Sequence, residues 1–131
     1  MAMDNPAEQE RVKQHIASAT AHGRELIAAL QEKIGTLNLP GDAVTIPPFE
    51  AAHFTLEQDI YNGEQTLRAA FFPSQYYCIG FLLFHSDGSS FAEYHIMRQH
   101  PARPALFIEA VEAWVRDGKI QTDTRIAMMP Q

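Results

Sequence analysis

Cysteine occurs once in this chain of 131 residues, at position 78, so no internal disulfide can brace the fold. Lys and Arg together number ten against sixteen Asp and Glu, leaving a formal charge of −6. The ten are scattered along the chain, whereas a phosphate backbone is held by clustered bases, so nucleic acid is not the expected partner. The apolar run from Tyr76 to Phe84 falls well short of the roughly 20 residues that a membrane span requires. No hydrophobic leader follows Met1, and with a lone cysteine this sets the expectation of a cytoplasmic protein in a reducing compartment. Familiar chemical spacings are missing too. There is no HExxH and no CxxC, and the HSDGSS turn at 85–90 carries neither a lysine nor a following helix, so no metal, cofactor or phosphate loop is expected.

What is present suits one α+β domain over residues 1–131. Hydrophobic residues make up 46% of the chain and charged ones 20%, and a domain of this size buries roughly two-thirds of its unfolded surface in a single core. Asn5-Pro6-Ala7-Glu8 is a helix start, with Asn as N-cap, Pro at the first position and an acidic third residue facing the helix dipole. Val12, Ile16, Ala19, Gly23, Leu26 and Leu30 then follow in steps of four and three, one helical stripe, and Gly35 ends it. The small residues Ala19 and Gly23 allow a close approach to the sheet, and the end of so long a helix overhangs toward a second subunit. Residues 36–49, with Pro40-Gly41 and Pro47-Pro48, form a connector tacked down by Ile46 and Phe49.

Two hairpins follow. Asn62-Gly63 and Asp87-Gly88 are strong tight-turn signals because both residues of each pair tolerate positive φ. Two-residue turns at both sites, joined by a short turn at Pro73-Ser74-Gln75, predict a four-stranded antiparallel meander. Its first face aligns Leu56, Ala69, Ile79 and Ile96, with Phe81, Leu83 and Tyr94 beside them. Changing either turn by one residue would send every side chain of a strand to the opposite face. Beyond Pro101 and Pro104, the spacing of Phe107, Ala110, Val111, Trp114 and Val115 predicts a second helix stopped by Asp117-Gly118. The alternation over 119–127 predicts a fifth, edge strand.

The second face of that meander is where chemistry is expected. Its middle row reads Glu57, Arg68, Gly80 and His95, with Glu93 and Asp59 beside it. Gly80 leaves a gap between Arg68 and His95. Cys78, Leu82, Phe84, Phe91 and Met97 form an apolar rim that cannot simply face water, so something covers it. The leading expectation is a small binding or adaptor protein, homodimeric, that receives a peptide or small ligand over this face at Cys78, Gly80, Leu82, Phe84, Phe91 and Met97. The first alternative is an enzyme using Glu57, Arg68, Glu93 and His95 as an acid/base set. Cys78 with His95 as a thiolate and its base, and Asp59 with Glu93 and His95 as a metal site, are weaker constellations on the same face. A chaperone-like partner of one specific protein is the last alternative.

Overall fold

The computed structural model describes residues 6–37, 39, 44–58, 60–75, 77–99, 102 and 106–128. Asn5, Asp59, and the Pro101 and Pro104 break lie outside the described residues. The architecture is α+β, one long helix on a six-stranded antiparallel sheet. Helix α1, Pro6–Gly35, is followed by a short 3-10 turn at Phe49–Ala51 and by strands β1 (His53–Gln58), β2 (Gln65–Phe71), β3 (Gly80–His85), β4 (Ser90–Gln99), β5 (Leu106–Arg116) and β6 (Lys119–Met128). The strands pair in chain order. Among the described residues, no helix is long and apolar enough to cross a membrane.

The helical stripe packs where its spacing directs it. Ala19, Gly23, Leu26, Leu30 and Ile34 are its buried positions, and they meet Leu67, Ala69, Phe71, Leu82, Ala92, Tyr94, Ile96, Val111 and Ala113 from the sheet. The connector seals one side of this core. Ile46 and Phe49 are buried, and the Gln31 side-chain amide donates to the Val44 carbonyl at 2.6 Å and accepts from the Ile46 N–H at 2.9 Å, fixing the segment to the helix.

The second predicted helix is instead strand β5. Phe107, Ala110, Val111, Trp114 and Val115 fit a helical stripe, but a strand between two others buries residues on both faces, and its simple alternation is hidden. Ala110 on one face and Val111 and Ala113 on the other are all fully buried. Asp117-Gly118, taken from sequence as a helix stop, has φ of 53° and 75°. It is the two-residue turn that both other dipeptides were expected to form, and it pairs Arg116 with Lys119. The strand expected over 119–127 is β6.

The two expected tight turns are longer, with different consequences. Around Asn62-Gly63 the closing pair is Gln58 with Gln65, and the Asn62 side chain accepts from the Glu64 N–H at 2.8 Å. This moves the register by two, so Phe54, Leu56, Leu67, Ala69 and Phe71 keep their expected helix-facing side. At Asp87-Gly88 the loop has three residues. The Gly88 N–H donates to the His85 carbonyl at 3.0 Å and the His85 N–H to the Ser89 carbonyl at 2.9 Å, with Gly88 at φ +92°. The Asp87 carboxylate holds the bend by accepting from the Ser89 hydroxyl and N–H, which lowers its pKa. One added residue changes the register by one and turns β3 over. Gly80, Leu82 and Phe84 face the helix, and Phe81 and Leu83 face away, the reverse of the sequence expectation.

Gly23 offers a test of the helix packing. A Cβ there would lie 2.5 Å from the ring of the buried Phe49. Ordinarily Gly→Ala inside a helix stabilises by about 0.5–1 kcal/mol; here overpacking outweighs that gain, and Gly23→Ala is expected to destabilise by a net 1–3 kcal/mol or so. Urea unfolding would show a lower midpoint with an unchanged slope, and a raised midpoint would contradict the packing.

Candidate functional site

The sheet face turned away from α1 can be read as rows of side chains. Thr55, Arg68, Leu83, Phe91, Trp114 and Gln121 form one row across all six strands. The next holds Ala70, Phe81, Glu93, Glu112 and Asp123, and a third brings His95, Ala110 and Arg125 together. Phe81 and Phe91 rings lie 6.2 Å apart. These apolar side chains are half-buried by one another and are not part of the core under α1. Among the described residues no helix lies over them.

The charged part of the face is a network across β4, β5 and β6. Glu93 is buried although charged. One carboxylate oxygen lies 2.6 Å from His95 Nε2, and the other accepts from Arg125 Nη2 at 2.9 Å. Arg125 Nε also donates to Glu112 at 2.8 Å. Burial alone would raise the Glu93 pKa. The hydrogen bonds from His95 and Arg125, with a contribution from Glu112, outweigh that and hold it below the ordinary value. A buried carboxylate bound on both oxygens is well suited to fixing the three strands and poorly placed to take a substrate proton.

The four residues expected as an acid/base set do not converge. Glu93 and His95 are partners, but Arg68 packs its guanidinium over the Phe81 ring at 5.8 Å and reaches the Cys78 sulfur at 3.7 Å. Glu57 stands on the edge strand opposite Thr66, and Thr55 rather than Glu57 faces Arg68. Cys78 Sγ donates to the Gly80 carbonyl at 3.2 Å, while His95 is turned to Glu93, so no thiol–imidazole pair forms between them. Of the ligand-face residues, Phe91 and Met97 lie on this outer face, Met97 being 61% exposed. Gly80, Leu82 and Phe84 belong to the opposite side. Gly80 makes no gap beside His95; its missing side chain is filled by Tyr94, whose ring would lie 2.4 Å from a Cβ at that position. Among the described residues no three His, Cys, Asp or Glu side chains are grouped to hold a metal.

A second concavity was not foreseen from the sequence. Between the N-terminal half of α1 and the β3–β4 turn lies an open groove of about 480 Å³, floored by Ala19, Leu67 and Phe84. On its wall His22 Nε2 is 2.7 Å from Ser90 Oγ. Hydroxyl and imidazole at this distance are the first half of a nucleophile–base pair. Among the described residues no carboxylate orients the other ring nitrogen. His22 was visible as a helix histidine and Ser90 as part of the HSDGSS turn, but their meeting spans 68 residues and no local pattern carries it.

No family model, curated protein or solved structure matches this chain. The geometry therefore bears the whole weight of a functional reading. It offers an uncovered sheet face with an aromatic row and a mutually neutralised charge network, and a groove with one Ser–His pair. Among the described residues no buried side-chain nitrogen or oxygen is left unpartnered.

The Glu93 network sets an acid response. With a folded pKa below the ordinary 4.5, its stabilising contribution is fully present above that value and is lost as pH falls through the depressed one. Glu93→Gln should lower stability at pH 7 by about 1–3 kcal/mol and should flatten the loss seen on acidification. Urea unfolding at neutral and acid pH checks both; an unaltered pH dependence would show that Glu93 carries no such linkage.

Proposed function

We propose that the protein is a small, non-catalytic binding or adaptor protein of the cytoplasm, homodimeric, whose outer sheet face is its docking surface. One observation carries this reading: Leu83, Phe91 and Trp114 form a continuous row beside Phe81 on a face that no described helix covers. Aromatic side chains of this kind are enriched in the centres of protein interfaces, and contiguous apolar surface outside a core marks a contact site. The adjacent charges are paired with one another, so covering them leaves few ions unmatched. The separation of Glu57 and Arg68 from the Glu93–His95 pair weighs against the acid/base enzyme, and the lone unpaired cysteine suits a reducing compartment.

A second reading, a small-molecule site in the groove, is favoured by the His22–Ser90 pair and by a volume in the range of ligand pockets. Retention from an extract of the source cell separates the two. Immobilised protein carrying Leu83→Glu should lose the proteins that the wild type retains, while His22→Ala should keep them. The reverse pattern, together with a thermal shift produced by a metabolite only when His22 is present, would transfer the function to the groove.

A further inference from the structure

The docking face carries a charge pattern that complements itself. On its β2 side Arg68 has no carboxylate partner among the described residues, its guanidinium resting on the Phe81 ring. On its β5–β6 side Glu93, Glu112 and Asp123 share a row. Arg125 serves the first two, while Asp123 accepts from the Thr124 backbone N–H and has no cationic partner among the described residues. A surplus cation therefore stands on one half, surplus acid on the other, and apolar Phe81, Leu83 and Phe91 between them.

We propose that this face is closed by a second copy of the chain, related by a two-fold axis that lies in the interface and runs along the strands. The inference rests on the docking reading and names the occupant. Such an axis lays the middle strands over the partner's middle strands and carries β2 across the partner's β5–β6 half. Arg68 then meets the partner's Glu112 and the partner's Asp123, and symmetry makes the contact twice. An axis across the strands would set Arg68 against the partner's Arg68, a like-charge contact that costs affinity. An isologous interface needs a patch complementary to itself, and two sheets stack with strands aligned to within roughly 30°. Pairing through the β6 edge is the competing way to dimerise, but that edge is studded with Lys119, Asp123 and Arg125, which disfavours strand addition.

Sedimentation equilibrium of the full chain tests the arrangement. Arg68→Glu and Asp123→Arg should each weaken the dimer about tenfold or more, since each repeats a like-charge contact at two symmetric places. The double variant, Arg68→Glu with Asp123→Arg, should recover most of the wild-type affinity, and Leu83→Glu should give a monomer. Circular dichroism and the thermal midpoint establish that each variant is folded; if Leu83→Glu is not, the charge swap alone decides. Failure of the double variant to recover would overturn the proposed axis. A wild type that stays monomeric to about 100 μM would overturn the second copy as occupant, leaving the docking reading to the extract-retention experiment. A dimer indifferent to Leu83→Glu and Arg68→Glu would place the contact at an edge and overturn the face as the dimer surface.

Discussion

A sheet has two faces, and the described chain supplies one long helix to cover them. Everything else in the structure depends on which side that helix takes. Leu26 and Leu30 of α1 are buried against Leu67, Leu82 and Val111, and Gly23 lets the buried Phe49 ring come in against the helix backbone. Once that side is filled, the side chains at alternate positions have no helical layer of their own among the described residues. Phe81, Leu83, Phe91 and Trp114 are left to shield one another, and Glu93, with no water over it, is held by His95 and Arg125.

The charge network and the apolar row are two answers to the same constraint. A buried carboxylate is costly unless both of its oxygens are bound, and here they are bound by residues from β4 and β6. The network therefore ties three strands across the outer face where no helix does. It also leaves the face nearly neutral beside the aromatic row, while Arg68 and Asp123 at its two ends stay unmatched by any described residue. Affinity would come from the row and orientation from the ends.

Much of this was legible in the sequence, and the errors have identifiable physical sources. The helix was readable because Ala19, Gly23, Leu26 and Leu30 keep one stripe over many turns. The final strand was readable because Ile120, Thr122, Thr124 and Ile126 alternate with polar residues at the exposed edge of the sheet. Strand β5 was not, since Ala110 and Val111 are buried on opposite faces and together imitate a helical stripe. The outer face was half readable: Glu93, His95, Phe91 and Met97 fell on the correct side because β4 kept its parity, but Gly80, Leu82 and Phe84 were misplaced. The cause was one residue in the loop after His85, where Asp87 and Ser89 bond to each other and widen the turn. Dipeptide identity alone could not reveal this, as Asp117-Gly118 makes the tight form. The His22–Ser90 contact depends on how the helix crosses the sheet, which no local spacing encodes.

Trp114 is the only tryptophan in the chain, and it stands in the aromatic row, so it reports directly on whether this face is covered. Acrylamide quenching of its fluorescence, followed from about 0.1 to about 100 μM protein, is the most direct measurement of the central claim. Closure of the outer face predicts that quenching weakens and the emission moves to shorter wavelength as concentration rises. Quenching that stays equally strong at every concentration, while the protein is shown to be dimeric, would mean that the outer face remains open and that the partner sits elsewhere.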